Sequence, residues 1–293
     1  MSDIATTASH WDAKYAATTR SAWVQNPIVE RTVYRRMTGQ EGFWLDWVFN
    51  HLISPVESLL SIGCGDGSHE LLIARQGFAQ RIVAFDAARE AIQRAQKTAD
   101  AEGLEIEFRN SLFEEFVAAP GHENAYDVVL FSGSLHHVTD IEGMLSAVRY
   151  VLKPGGRVIV NEYCGPCYQL YPLSQVETVD RVIAKLSDEF RSADRLIMPS
   201  IEMIMASDPT EGVRSALIPV LVPMYFVREY EKFIGGGLLH PLFTCLNAGR
   251  VNDGSAESRT LVEMLILLED ELTSAGVIGN DFMFGVYVNE KKN

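Results

Sequence analysis

Five short apolar runs rich in β-branched residues recur along the chain, at 58–62 (SLLSI), 81–86 (RIVAFD), 105–110 (EIEFRN), 126–133 (YDVVLFSG) and 156–163 (GRVIVNEY), with helix-periodic stretches between them. This alternation restricts the fold more than any other feature, because parallel neighbours need a long crossover between them and a helix is the usual one. Helical patterns at 68–76, 88–101 and 140–152 fill the gaps, with Ile92, Ala95 and Ala99 at helical spacing in the second and a KPGG turn at 153–156 after the third. A parallel sheet covered on both faces follows.

Beyond residue 165 the rhythm changes. Val179, Val182, Ile183 and Leu186 mark an amphipathic helix. The DPTE stretch at 208–211 reads as a helix start, with Asp208 as N-cap, Pro209 in the first turn and Glu211 closing a capping box. Two more strands are expected at 224–233 and 282–290, separated by a long helix over 256–275 that stops at Gly276. Near the amino terminus, Trp44, Trp47, Val48 and His51 share one helix face.

The 293 residues carry a formal net charge of −14, which argues against a surface built to neutralise phosphates, so no nucleic-acid partner is expected. No basic-flanked apolar leader opens the sequence and no apolar run reaches about 18 residues, so the expectation is a soluble cytoplasmic protein without a membrane partner. Four cysteines in such a chain are expected to be reduced. Cys164 and Cys167 form a C-x-x-C, but no second pair completes a zinc set, and no metal is expected.

The first run leads into LLSIGCGDGSHELL, where Gly63, Gly65 and Gly67 alternate before a helix. Glycines there let the backbone approach a ligand, and the helix start offers free N–H groups to an anionic one. Asp86 ends the next strand about 20 residues on, where a carboxylate can accept from both ribose hydroxyls. The pair indicates a nucleoside. It does not separate NAD from S-adenosylmethionine, although Ser68 stands where a dinucleotide fingerprint has its third Gly or Ala.

LLSIGCGDGS, VAFD, FRNSLF, YDVVLFSGSLHHV and LKPGGRVIVNEY together resemble the class I S-adenosylmethionine-dependent methyltransferases. WDAKY, WVQNP, EYCGP, DPTEGVRS and GGGLLH are similar to a bacterial subgroup associated with surface-glycan or secondary-metabolite pathways. The resemblance implies a Rossmann-like, doubly wound, seven-stranded α/β sheet, with five parallel strands, a carboxyl-terminal antiparallel hairpin, and amino-terminal and inserted helical lid elements. It implies one methyltransferase domain over 1–293: a helical lid at 1–55, a cofactor core at 56–165, a helical insertion over the acceptor pocket at 166–222, and closing strands and helices at 223–293.

S-adenosylmethionine is the implied cofactor, held by Gly63, Cys64, Gly65, Gly67, Asp86, Ala87, Ser111, Leu112, Ser132 and Tyr15. Two departures stand out: Ser61 replaces an acidic residue common in the family, whose task must be supplied otherwise, and Asn110, Ser111 and Leu112 replace an Asp that accepts from adenine. The acceptor is expected beyond strands four and five, among Ser132, Ser134, His136, His137, Glu162 and Tyr163.

His136 or His137 can take a hydroxyl proton, and the resemblance favours His136 as the one facing the acceptor. Glu162 and Tyr163 either orient the substrate or, for Glu162, hold a histidine in one tautomer. Arg214 and His240 read as a surface charge and a loop histidine rather than substrate contacts, and Trp11, Tyr15 and Trp23 as lid candidates. The leucines around Leu261, Leu265 and Leu268 read as core or a self-association face, leaving a homodimer open. The leading function is methyl transfer to a small hydroxyl- or amine-bearing molecule, such as a sugar or biosynthetic intermediate. A cyclase that releases methylthioadenosine, a non-catalytic nucleoside-binding protein and, more distantly, an NAD-dependent dehydrogenase are the alternatives.

Overall fold

The computed structural model describes residues 23–290. Two helices come first, α1 (Pro27–Thr38) and α2 (Trp44–His51). The alternating series follows: β1 (Val56–Ile62), α3 (Ser68–Arg75), β2 (Ala79–Asp86), α4 (Arg89–Glu102), β3 (Ile106–Asn110), α5 (Phe113–Ala118), β4 (Tyr126–Ser132), α6 (Ile141–Val151) and β5 (Leu152–Tyr163). The remainder adds α7 (Leu173–Ile183), α8 (Ile201–Ser207), α9 (Ile218–Tyr225), β6 (Val227–Phe233), α10 (Leu239–Phe243), α11 (Ala248–Val251), α12 (Ala256–Ser274) and β7 (Phe282–Val288).

The strands form one seven-stranded sheet in the order β3-β2-β1-β4-β5-β7-β6. Strands β1 to β5 are parallel, and β7 runs antiparallel to both β5 and β6. This is the expected doubly wound sheet with its closing antiparallel pair. Alternate strand residues serve opposite faces: Leu59, Ile82 and Leu130 pack with residues of α1 to α4, whereas Leu60, Val83 and Phe131 pack with Met144 and Val148 of α6 and Val222 of α9. Both faces being covered explains why these strands are almost continuously apolar. The chain winds outward from β1 to β3 and returns to β4 beside β1, which opens a crevice beyond the carboxyl ends of those two neighbours.

Three local expectations need correction. The DPTE stretch does not start a helix: α8 ends at Ser207, and Asp208 turns its carboxylate onto the Thr210 N–H (3.0 Å) and hydroxyl (2.6 Å). Gly212, at φ +62°, keeps the following backbone from continuing as a helix. Residues 224 and 225 belong to α9 instead of β6, because Pro219 presets the first helical turn and the apolar residues that follow suit either period. The KPGG residues fall inside β5, where Gly155 takes φ +76° and the pairing with β4 shifts register between Tyr126 and Val128. Among the described residues, no helix is long and apolar enough to cross a membrane.

Candidate active site

The turn after β1 holds all three glycines at positive φ, +71° for Gly63, +57° for Gly65 and +73° for Gly67. At Gly63 a Cβ would stand 2.5 Å from the Ser134 Cβ, and at Gly67 one would stand 2.7 Å from the Phe108 ring. Gly63→Ala therefore combines a left-handed backbone penalty of about 1–2 kcal/mol with a clash against the loop after β4. We expect a lower melting temperature by thermal unfolding, and wild-type stability in that variant would show that the two loops separate easily.

Asp86, at the end of β2, braces this crook. Its carboxylate accepts from the Gly65 N–H at 2.9 Å and from the Ala88 N–H at 2.8 Å. Asn110 donates to the Asp86 and Ala87 carbonyls at 3.0 and 2.9 Å, and the Ser111 N–H donates to the Asp86 carbonyl at 3.1 Å. Glu115 then fixes the Ser111 hydroxyl and the Leu112 N–H. Gly63, Gly65, Gly67, Asp86, Ala87, Ser111 and Leu112 thus form one continuous rim. The Cys64 N–H donates to the Phe85 carbonyl at 3.1 Å, and burial pushes its thiol up. Ser132 accepts from Asn161 at 3.3 Å at the end of β4. Tyr15, like Trp11, lies outside the described residues.

Glu70 was not singled out from the sequence, yet it is buried against the strand that leads into the glycine turn. It sits on α3, is 1% exposed, and accepts from the Ser61 hydroxyl at 2.5 Å. Its other carboxylate oxygen is buried without a hydrogen-bond partner, and burial pushes its pKa up to about 7. A carboxylate is therefore present beside Ser61, supplied by the helix instead of the strand. Its trace in the sequence is faint: an acidic residue inside a helix face that otherwise points inward with Leu71 and Ile73.

Across the crevice, the loop after β4 is fastened to the turn by the Ser134 hydroxyl, which donates to the Ile62 carbonyl at 2.6 Å. Glu162, 1% exposed near the end of β5, organises this loop. One oxygen accepts from the Ser134 and Leu135 N–H groups at 2.8 and 2.7 Å, and the other lies 2.7 Å from His136 Nδ1. Of the two roles open for Glu162, holding a histidine is the one this geometry fits. A carboxylate only accepts, so His136 carries a proton on Nδ1, which makes Nε2 the basic nitrogen of the neutral ring.

His137 follows the same logic. Thr210 donates its hydroxyl proton to Asp208, so its oxygen accepts from His137 Nδ1 at 3.0 Å, which makes Nε2 the basic nitrogen of the neutral ring. Burial lowers the His137 pKa, which favours its neutral form at physiological pH. The two Nε2 atoms lie 3.8 and 3.9 Å from the Glu211 carboxylate, which is itself held by Gln169 at 2.8 Å. Among the described residues, His136, His137 and Glu211 are one group of possible metal ligands, their ligand atoms within 4.8 Å of one another.

Tyr163 turns its hydroxyl onto the Pro166 carbonyl at 2.9 Å and stands its ring edge-on to His136, with centroids 6.0 Å apart. His240 meets the Tyr171 hydroxyl at 3.0 Å and packs against Tyr163 and Phe282. Trp23 is buried against Phe282, 5.0 Å between centroids. Arg214 grips Glu142 with both guanidinium arms and tethers the segment after α8 to α6. Cys164 and Cys167 are free thiols.

Residues 53–215 match the model of a family described as a methyltransferase domain. A ubiquinone biosynthesis O-methyltransferase of Cereibacter sphaeroides is 40% identical over 103 residues, which are 35% of this chain and 40% of that protein. A protein of the same name from Xylella fastidiosa is 29% identical over 117 residues, 40% of this chain and 46% of its own. The chain spans less than half the length of these curated relatives. Among solved structures, a geranyl diphosphate methyltransferase in complex with S-adenosylmethionine superposes with a TM-score of 0.50 at 13% identity, over 83% of each chain, and shares the fold.

Proposed function

We propose that this chain, which belongs to the methyltransferase-domain family, is an enzyme that uses S-adenosylmethionine to methylate a hydroxyl of a small molecule bound beyond β4 and β5. The observation that carries this reading is the 2.7 Å contact between His136 Nδ1 and the buried Glu162, on the loop that Ser134 ties to the end of β1.

The rim fits the cofactor on its own chemistry. Neither Gly63 nor Gly67 has room for a Cβ, the Asp86 carboxylate at the end of β2 can accept from ribose hydroxyls, and the unsatisfied Glu70 oxygen suits an ammonium group. When bound, the cofactor supplies an electrophilic methyl group on a sulfonium. The chain's part is to hold the acceptor oxygen in line and to receive its proton at His136 Nε2. Glu162 stabilises the imidazolium that results, and neutral His137 adds no competing charge. A hydroxyl acceptor suits this arrangement better than an amine, which needs no base. The O-methyltransferase names of the curated relatives point the same way.

Incubation with S-adenosylmethionine and catechol, sugar and amine probes tests the reading, with products separated chromatographically. S-adenosylhomocysteine formed with a hydroxyl probe is expected, and methylthioadenosine formed without any acceptor would replace methyl transfer by cyclisation. His136→Ala is expected to lower turnover of the hydroxyl probe about 10²–10⁴-fold while leaving S-adenosylhomocysteine affinity intact. Unchanged turnover would remove His136 from the base role.

A further inference from the structure

We infer that His136, His137 and Glu211 bind a first-row divalent cation, and that this cation receives two adjacent oxygens of the acceptor. The chain brings together three Lewis-basic groups, two imidazoles and one carboxylate, each offering one ligand atom within 4.8 Å of the others. His136 Nε2 stands 3.8 Å from Glu211 Oε1 and His137 Nε2 3.9 Å from Oε2, too long for hydrogen bonds; ligands about 2.0–2.2 Å from a shared ion stand roughly 3–3.6 Å apart, so side-chain shifts of well under about 1 Å would close the set around one.

The outer contacts are those of a ligand set. Each histidine gives its Nδ1 proton to an oxygen held elsewhere, His136 to Glu162 and His137 to Thr210, whose hydroxyl is committed to Asp208. Glu211 is oriented by Gln169. Such partners fix ring orientation and raise the basicity of the metal-facing nitrogen. Both histidines are buried, so the rings are already placed when an ion arrives. The set is anchored on two separate segments, the loop after β4 and the turn after α8.

Two imidazoles and a carboxylate on one side of an ion leave about three positions of an octahedron open. Two neighbouring oxygens, as in a vicinal diol or catechol, fit there. The site's existence does not depend on the proposed methyl transfer, but its use by an acceptor rests on that reading. In the cation-free protein His136 Nε2 accepts the hydroxyl proton. In the loaded protein that lone pair is occupied, the O–H bond breaks to water, and the ion stabilises the oxyanion left behind.

The test is a Co2+ titration of the metal-stripped full chain, followed by visible absorption and equilibrium dialysis with no cofactor or acceptor present. One ion per chain with ligand-field bands and no thiolate charge transfer is expected. Glu211→Gln, which can keep its contact with Gln169, is expected to weaken binding at least about tenfold, His137→Ala to abolish it, and Cys167→Ser to leave it unchanged. No uptake, or uptake indifferent to both ligand variants, overturns the proposal. Each variant's thermal shift with S-adenosylhomocysteine reports that it is folded. Methyl transfer by protein that takes up no Co2+ would sink the cation site alone, whereas Co2+ uptake by protein that binds no S-adenosylhomocysteine would sink the methyl-transfer reading and leave the site standing.

Discussion

Glu162→Ala should be the most damaging single substitution in the crevice, costing about 3–5 kcal/mol of stability, on the order of 10 °C in melting temperature. The residue accepts from the Ser134 and Leu135 N–H groups and faces His136 Nδ1, and all of these groups are buried. Truncation leaves several donors without their partner, and each such group costs about 1–3 kcal/mol. Glu162→Gln separates structure from chemistry. Its carbonyl oxygen can keep the two backbone donors, but its amide then points N–H at His136 Nδ1 and forces the opposite tautomer, with the proton on Nε2. Stability should therefore recover in large part, while turnover of a hydroxyl probe in metal-stripped protein stays down about 10²–10⁴-fold. Nitrogen NMR shifts of the His136 ring would report the tautomer directly. Full turnover in Glu162→Gln would show that Glu162 positions nothing the reaction needs.

The contrast between Glu162 and Glu211 shows how far local patterns reach. Strands β1 to β5 were legible because burial on both faces leaves an apolar signature that survives without context, and the glycine turn because three positive-φ positions exclude other residues. Asp86 followed from its distance along the chain to that turn. Glu162 could be named because strand order places its end next to β4, although its two possible roles could not be separated without distances. Glu211 was misread as part of a capping box, since the same Asp, Pro, Thr and Glu suit a helix start or a turn, and Gly212 and the long-range bond to His137 select the turn. Glu70 escaped notice because a glutamate one turn into a helix is normally solvated. Only the packing of α3 against the sheet, which puts Ser61 at 2.5 Å, turns it inward.

That inward carboxyl sets a pH dependence whose sign is opposite to the usual one for an acid. Burial raises the Glu70 pKa from an ordinary 4.5 to about 7, so the folded protein holds a proton that the unfolded chain has released. Between those two values the native state binds more protons, and stability falls as pH rises, by up to about 3 kcal/mol on reaching pH 7 and little further above it. Glu70→Gln removes the titration while keeping a carbonyl for Ser61. It should therefore be more stable than wild type at pH 8 and comparable below pH 4.5, provided both are followed by denaturant unfolding at each pH. The cofactor reverses the balance. An ammonium group against the buried oxygen favours the charged carboxylate, so S-adenosylhomocysteine binding at pH 7 should expel roughly half a proton, measurable as a heat that varies with the ionisation enthalpy of the buffer. Glu70→Gln should release none and bind roughly 10–100-fold more weakly through loss of a charged hydrogen bond. Equal affinity in the two proteins, with buffer-independent heats, would place the ammonium group elsewhere and leave Glu70 as a buried acid that only destabilises the fold.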